Sequence, residues 1–264
     1  MRHLLLVVAL SVPAGMHAQQ APQPPQGRGG PPAPPKTARE AAPVDFTGYW
    51  VSVVTEDWRW RMVTPAAGDF ASVPLNAEGR RVGSTWDPAK DQAAGDACKA
   101  YSAPAIMRVP GRLHITWQDD STLKIETDSG TQTRLFHFRG KPDARAKPAW
   151  QGFSAAQWEQ PVRGTGTPLP GLGAARQGAQ GRSLEVVTTQ LRPGYLRKNG
   201  VPYSANAELT EYYDLSKERN GDIWFVVTTI VNDPQYLTEP FVTSTNFKKQ
   251  PDASGWNPMP CSAR

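Results

Sequence analysis

Three polar residues near the middle of the chain have side chains suited to acid–base chemistry. His114 lies in GRLHITWQ, Glu126 in STLKIET and Arg134 in TQTRLFHF. A histidine titrates near neutral pH and a carboxylate can hold its tautomer, so a cluster of these groups inside the protein could bind a carboxylate or exchange protons. If their sheet face points outward, they are ordinary solvated residues. The alternating Leu113 and Ile115 favour that outward orientation, because the apolar side is the natural interior.

A further carboxylate, Glu211, alternates with Leu209 and Tyr213 and so lies on an apolar strand face. A polar group that is buried in this way must be hydrogen-bonded, or it destabilises the fold. One hypothesis is therefore that Glu211 is a general base or the anchor of a ligand. The alternative is that Glu211 is the structural partner of an arginine such as Arg134 or Arg192.

Nine tryptophans are an excess for a chain of 264 residues. Aromatic side chains line pockets for apolar or aromatic ligands, although in β-rich proteins they more often fill the core. If they line a pocket, Arg134 and Glu211 are the predicted polar anchors of its ligand. The residues predicted to form the wall of that pocket are Trp58, Trp60, Trp117, Trp224 and Tyr213.

Other kinds of site find no support in the sequence. There is no Gly-x-Ser-x-Gly, and GLGAARQG at 171–178 follows no strand and opens no clear helix, which argues against a nucleophile elbow and a phosphate loop. Beyond the N-terminal leader, two histidines and two cysteines remain, at no metal-site spacing. We predict no metal and no cofactor. The sequence leaves enzymatic activity open and favours binding over catalysis.

The formal net charge is +5, but the basic residues are scattered along the chain. They form short pairs such as Arg197-Lys198 and Lys248-Lys249 instead of a basic face with interleaved aromatic residues. This pattern argues against nucleic-acid binding and leaves a weak preference for anionic ligands or surfaces.

The N-terminus has the layout of a secretory signal peptide. Arg2 and His3 precede a short apolar run, and Ala18 provides a small residue at the expected cut. We predict a signal peptide over 1–18, a disordered Pro-rich linker over 19–43, and one domain over 44–264 with a mobile loop near 161–181. No later stretch approaches the ~20 apolar residues of a membrane span, so we expect a periplasmic or secreted protein. The alternative is a short N-terminal membrane anchor.

Cys98 and Cys261 are the only cysteines of the chain. An exported protein meets an oxidising compartment, where such a pair usually forms a disulfide. We predict this bond, which would tie the C-terminal tail to the first third of the domain. The alternatives are two free thiols or a cysteine that acts as a metal ligand.

The elements that must position these residues are mostly predicted strands. Three alternating segments, GRLHITWQ, STLKIET and TQTRLFHF, are joined by short turns and form a meander. NAELTEYYDLSK and DIWFVVTTIVND form a hairpin around Asn220-Gly221, and SLEVVTTQL and YLTEPFVTSTNFKK add strands. The segment WRWRM at 58–62 also alternates and predicts a strand, whereas 75–85 and 88–95 are predicted to be short helices.

Two short motifs resemble those of lipocalins. GYW at 48–50 is similar to the Gly-x-Trp that opens the first lipocalin strand, and TEYY at 210–213 is similar to a second, Thr-Asp-Tyr-like motif. The resemblance implies a barrel in which Trp50 plugs one end as a structural element. The long C-terminal helix of lipocalins has no counterpart here, and residues 75–104 are foreign to their pattern.

A wider resemblance, over most of the predicted domain, is to exported bacterial β-rich proteins of unknown function. These have a signal peptide and a proline-rich leader, followed by a Phe-x-Gly-x-Trp opening and a late Asp-Pro-x-Tyr-Leu-Thr segment. Here the opening is FTGYW at 46–50 and the late segment is DPQYLTEPF at 233–241. The resemblance implies export and a β-rich fold, and it implies no activity.

The fold class is therefore mostly β, with eight to ten strands in an antiparallel up-and-down meander and one or two short helices. A lipocalin-like barrel is favoured, because the strands follow one another without long crossovers, and a strongly bent sheet or sandwich is the alternative.

Three functions remain open. The first is an exported binding protein for a small hydrophobic or aromatic ligand. The second is an enzyme on the same scaffold, an isomerase, cyclase or hydrolase with His114 or Glu211 as the base. The third is a cell-envelope interaction or structural module without a pocket. A ligand cavity separates the first two functions from the third.

Overall fold

Alternation of apolar and polar side chains produces strands that close into a barrel. The computed structural model describes residues 36–159 and 183–263. Its strands are β1 Gly48–Val53, β2 Arg112–Asp119, β3 Thr122–Thr127, β4 Ser129–Gly130, β5 Thr133–His137, β6 Phe153–Trp158, β7 Leu184–Thr189, β8 Gly194–Arg197, β9 Val201–Tyr203, β10 Glu208–Lys217, β11 Ile223–Asn232, β12 Phe241–Gln250 and β13 Met259–Pro260. Its helices are α1 Trp58–Arg61, α2 Ala77–Gly83, α3 Pro88–Ala93 and α4 Ala103–Ile106, with a 3-10 turn over Lys99–Tyr101.

Nine strands form the closed barrel, in the order β1-β12-β11-β10-β7-β6-β5-β3-β2. The prediction of a mostly β, barrel-forming chain is therefore confirmed. Neighbouring strands are antiparallel except β5 and β6, which pair in parallel because the connection 138–152 returns the chain to its starting end. The order thus departs once from a strict up-and-down meander. Two small sheets, β4 with β13 and β8 with β9, lie outside the barrel.

The period-two pattern decides which side chains fill the barrel. Ile115 pairs with Ile125 across β2 and β3, and Phe225 pairs with Phe247 across β11 and β12, with all four side chains buried. Trp50 is also fully buried, and its indole N–H donates to the Phe46 carbonyl at 2.8 Å. Large side chains therefore occupy the middle of the barrel.

The segment between β1 and β2 closes one end of the barrel, together with the β8–β9 hairpin. Phe70 and Leu75 of that segment and Leu196 of the hairpin pack against Leu209 and Phe241 of the barrel strands. We call this end the capped end. Because α4 leads directly into β2, Ile106 and Met107 reach the barrel core.

The helix predictions were partly right. The structure has four short helices where one or two were expected. The predicted helices near 75–85 and 88–95 are α2 and α3, which begin after Asn76 and Asp87; each of these side chains accepts hydrogen bonds from the first helical turn. The predicted strand at 58–62 is wrong, because this segment is the helix α1. Five alternating residues do not distinguish the two periods when one polar member, here Arg61, is the buried one.

The predicted disulfide between Cys98 and Cys261 is present. It joins residues 163 apart, and the Gln132 side chain donates to both sulfurs and to the Gly130 carbonyl. The tail that carries Cys261 adds β13 to β4. The C-terminus is thereby held against the wall of the capped end.

Several sequence-based predictions concern residues 1–35 and 160–182, which lie outside the described residues. They are the signal peptide, most of the linker and the loop at 161–181. Residues 38–41 form a turn, and the Arg39 N–H donates to the Asp120 carbonyl at 3.1 Å. Within 36–159 and 183–263, no helix has the length and apolar content of a membrane span.

Candidate functional site

The proposed cluster of His114, Glu126 and Arg134 does not form. His114 Nδ1 and Glu126 Oε2 lie 3.3 Å apart on the outer face of the barrel. The register pairs Arg134 with Ile125, so Arg134 points to the opposite, inner face. The Tyr49 ring stacks on His114, with the ring centroids 4.2 Å apart. A catalytic role of His114 stays a prediction, without help from Arg134.

Inside the barrel, Arg134 and Glu211 form an ion pair with both side chains 0% exposed. The two terminal guanidinium nitrogens of Arg134 donate to the two carboxylate oxygens of Glu211 at 2.9 and 2.6 Å. The Tyr213 hydroxyl lies 3.3 Å from Glu211, and the Thr188 hydroxyl lies 3.4 Å from Arg134. Arg134 Nε has no hydrogen-bond partner among the described residues. The structure thus gives Glu211 the arginine partner that was its structural alternative, and a role as base or ligand anchor stays a prediction.

The ion pair affects the protonation of Arg134 and of the neighbouring Tyr213. Burial lowers the pKa of Arg134, but the negative charge and hydrogen bonds of Glu211 outweigh burial and raise that pKa above its ordinary value. Burial and the charge of Glu211 raise the pKa of Tyr213 well above its ordinary value. Arg134 is therefore a permanent cation and Tyr213 a neutral phenol at physiological pH.

The aromatic residues predicted as one pocket wall do not line one space. Trp58 is 68% exposed, Trp224 lies beneath the Lys248 ammonium on a barrel wall, and Trp117 contacts the Phe138 ring. Trp60 alone among the predicted tryptophans lines the cavity described next. The roles of the others as ligand contacts stay predictions.

A cavity of about 280 Å³ lies at the capped end of the barrel. Its walls come from α1 and the residues after it, from the connection between α4 and β2, and from β8 with the turn that follows. The aromatic and cationic side chains of its lining are Trp60, Arg61, Tyr101, Arg108, Arg197 and Lys198. We call it the arginine cavity.

Three arginines of this wall are buried, with Arg61 and Arg108 6% exposed and Arg197 4% exposed. Arg61 Nε donates to the Arg108 carbonyl at 3.0 Å, and its Nη1 donates to Glu56 at 2.5 Å. Arg108 Nη2 donates to Asp57 at 2.8 Å. These contacts hold the guanidinium groups in place without using all of their N–H groups.

Four guanidinium nitrogens of the three arginines are buried and have no hydrogen-bond partner among the described residues. They are Arg61 Nη2, Arg108 Nη1, and Nε and Nη2 of Arg197. The last two form one edge of a guanidinium, the arrangement that binds a carboxylate or phosphate through two parallel hydrogen bonds. Arg197 Nη1 donates to the Ala71 carbonyl at 2.6 Å, whereas Nε and Nη2 have no hydrogen-bond partner among the described residues.

The charges of the site do not balance. Three arginines and Lys198 line the cavity, whereas only Glu56 and Asp57 form ion pairs with them among the described residues. Burial lowers the pKa of Arg197 to about 10, and the charge of Arg108 lowers it in the same direction. Burial is also the main reason that the pKa of Arg61 is lowered, and Glu56 opposes this shift.

Aromatic rings hold the cations in position. Arg197 Cζ lies 4.9 Å from the centre of the Trp60 ring and 5.9 Å from that of Phe241. Lys198 Nζ lies 5.0 Å from the centre of the Tyr101 ring. Contacts of this kind attract cations electrostatically, so the positive groups are fixed before any ligand arrives.

The three arginines of the cavity were not predicted from the sequence to form a site. They lie on separate segments, and each looks like a surface residue in its local context. The pair Arg197-Lys198 was noted only as a short basic pair. A partial signal was the alternation of tryptophan and arginine at 58–61, which marks cations held against aromatic rings. No group of three metal-ligating side chains occurs within the part of the chain that the structure describes.

Comparison with known proteins identifies no family for this chain. No protein-family model matches it, and no curated protein is significantly similar to it. The ligand is therefore inferred from the chemistry of the arginine cavity.

Proposed function

We propose that this protein is an exported binding protein for a small molecule with an anionic group, and that the group binds in the arginine cavity. The observation that carries the proposal is the set of four buried, unpartnered guanidinium nitrogens at one cavity. Buried polar groups in native proteins are nearly always hydrogen-bonded, and an anion is the acceptor that guanidinium groups bind most strongly.

The charge balance supports the type of ligand. Two carboxylates leave two of the four cations of the cavity unmatched, which favours a dianionic group such as a phosphate or two carboxylates. The cavity volume of about 280 Å³ suits a small molecule, and the rings of Trp60 and Tyr101 provide contacts for an apolar or aromatic remainder. The hydrophobic or aromatic ligand expected from the sequence thus becomes an anion with an aromatic or apolar part.

The location of the cavity differs from the barrel interior of a lipocalin. In this protein, Trp50, Arg134, Phe136, Tyr213, Phe225 and Phe247 are fully buried in the barrel. The ligand accordingly binds at the capped end, where helices and the β8–β9 hairpin meet the strands.

The disulfide supports a location outside the cytoplasm, since such bonds persist in oxidising compartments. Together with the signal-like N-terminus and the similarity to exported bacterial proteins, it favours a periplasmic or secreted protein.

Thermal unfolding in the presence of anions tests the proposal. A ligand at 100 times its Kd stabilises the folded state by about 2.7 kcal/mol, which raises the Tm of a domain of this size by about 5–10 °C. We expect phosphate to raise the Tm relative to chloride at equal ionic strength, and phenyl phosphate to do so at lower concentration.

The matched variants are Arg197→Gln in the cavity and Arg219→Gln in the exposed turn between β10 and β11. The first should remove the response to phosphate, and the second should leave it unchanged. An equal response in both variants would show that phosphate acts on the general surface charge, and the proposal would be wrong.

A further inference from the structure

Exposed apolar side chains border the arginine cavity. Trp58 is 68% exposed, Met62 59% and Val63 63%. The described residues have five exposed large hydrophobic side chains, and these three lie within six positions of one another. We call Trp58, Met62 and Val63 the apolar rim. Because single exposed hydrophobic residues are normal and clusters are not, the apolar rim points to a contact.

The apolar rim and the buried arginines share one short segment. The Met62 N–H donates to the Trp58 carbonyl at 2.9 Å, which places the two side chains one helical turn apart on the same face of α1. Met62 and Val63 also line the arginine cavity, next to Arg61. A molecule that reaches the guanidinium groups from this side therefore meets the apolar rim.

Cations flank the same surface. The Arg59 side chain, beside Trp58, is 64% exposed and forms an ion pair with Asp69 at 2.9 Å, whereas Lys198 lines the cavity without a carboxylate partner among the described residues. An exposed tryptophan with arginine and lysine neighbours is the composition of segments that lie in the interface of a membrane with anionic lipids. The positive charge complements the negative surface of such a membrane.

We propose that the apolar rim docks on the surface of an anionic phospholipid membrane and that the arginine cavity binds the phosphate of one lipid. The inference rests on the proposed function, since it takes the arginine cavity as an anion site. Trp58, Met62 and Val63 enter the interfacial region, and the lipid phosphate accepts hydrogen bonds from the buried guanidinium groups.

A membrane fits this surface better than a folded protein partner. A stable protein interface buries about 1,200–2,000 Å² in total, far more than three side chains supply. A membrane surface needs only a few inserted side chains plus charge attraction, and it presents phosphate groups at high density. A dissolved amphiphile would bind to the same arginines but would leave much of the apolar rim in water.

Co-sedimentation with vesicles tests the proposal. One set contains phosphatidylglycerol and phosphatidylcholine in equal amounts, and the other contains phosphatidylcholine alone. We expect binding to the anionic vesicles only. The double variant Trp58→Ala/Met62→Ala should weaken that binding at least about tenfold, because two exposed side chains lose their insertion. Trp58→Phe should keep most of it.

The control is Trp224→Ala, at the other end of β11 from the capped end. It should bind vesicles like the wild type. Equal vesicle binding by the wild type and the double variant would overturn the docking of the apolar rim. If the double variant and Trp224→Ala bound vesicles equally well, the proposal would also be wrong, because the loss of a tryptophan would then have the same effect inside and outside the apolar rim.

The response to inorganic phosphate separates this inference from the proposed function. The single variant Trp58→Ala should weaken vesicle binding but keep the rise in Tm with phosphate, because Trp58 does not line the arginine cavity and all three arginines are intact. A wild-type protein that responds to phosphate but does not bind anionic vesicles overturns the membrane inference and leaves the proposed function standing. A wild-type protein that responds to neither overturns both.

Discussion

The protein buries arginines in two places, and the two places differ in how the charge is matched. In the barrel interior, both terminal nitrogens of Arg134 donate to one carboxylate, Glu211. In the arginine cavity, Arg61, Arg108 and Arg197 have two carboxylate partners between them. In the barrel interior, one guanidinium nitrogen has no hydrogen-bond partner among the described residues, whereas in the arginine cavity four have none.

The comparison separates structural from binding roles of the same side chain. A buried cation with its own counter-ion joins strands, here β5 and β10, and needs no ligand. Buried cations in excess of their counter-ions destabilise the protein unless an anion binds. Four experiments test this distinction between the two sites.

The largest effect is expected for Glu211→Gln. This change leaves the Arg134 charge buried without a counter-ion, so the free energy of unfolding should fall by about 3–5 kcal/mol in urea titrations. Glu126→Gln, at the half-buried pair with His114 on the outer face of the barrel, is the control and should cost less than about 1 kcal/mol.

The double variant Arg134→Met/Glu211→Leu should recover much of the stability that Glu211→Gln loses, because it removes both charges together. If Glu211→Gln is as stable as the Glu126→Gln control, the interior pair is not the structural member of the comparison.

The second effect is expected at the edge of the arginine cavity. Cys98→Ala/Cys261→Ala should lower the free energy of unfolding by about 2–4 kcal/mol under non-reducing conditions, since it frees a long loop of the unfolded chain. It should also weaken phosphate binding, because Gln132, which donates to both sulfurs, also donates to the carbonyl of Gly130, and Gly130 packs on the cavity residue Tyr101. Isothermal titration measures the phosphate affinity of this variant. An affinity equal to that of the wild type would show that packing holds the wall of the arginine cavity without the disulfide.

The third experiment makes one substitution at both sites. Arg197→Met removes a buried charge without a carboxylate partner and should change the free energy of unfolding by about 0–2 kcal/mol in the stabilising direction. It should abolish the phosphate response. Arg134→Met leaves Glu211 unpaired and should destabilise the protein. Destabilisation of equal size in both variants would remove the distinction between the sites.

The smallest effect is a pH dependence. The pKa of Arg197 in the folded protein is about 10, below its ordinary value in an unfolded chain. Below that pH the cost of burying its charge is fully present. As pH rises through about 10, the folded state loses this proton before the unfolded state does, so that cost is relieved.

The measurement compares urea unfolding of the wild type and Arg197→Met at about pH 8 and about pH 11. The stability advantage of Arg197→Met should shrink by about 1 kcal/mol or more at the higher pH. Arg134 keeps its charge at both pH values, because its pKa in the folded protein is raised. An advantage of Arg197→Met that is the same at both pH values would contradict the assignment.

Much of the barrel could be predicted from local patterns. The strands of GRLHITWQ and STLKIET were identified because period-two alternation and a tight turn are both local properties. The parallel pairing of β5 with β6 could not be predicted, since it depends on where the connection 138–152 places the chain. The helix α1 was also missed, because Arg61 faces inward only through contacts with Glu56 and Arg108.

The candidate site was likewise predictable only in part. Glu211 was identified as an unusual carboxylate on an apolar strand face, and Arg134 was named as one of its two candidate partners. That both lie within the same barrel layer depends on the register of the two strands, β6 and β7, that separate β5 from β10 in the barrel. The arginine cavity had no local sign that its members meet.

Local patterns in the sequence predict the β content, the two alternating faces of the strands and the pairing of Cys98 with Cys261, because each depends on neighbours in the chain or on the number of cysteines. Which of the arginines have a carboxylate partner depends on the folded chain. Arg134 found one carboxylate across the barrel, whereas Arg61, Arg108 and Arg197 met at one cavity with too few. Charge balance is a sum over neighbours in space, and the order of residues along the chain does not contain those distances.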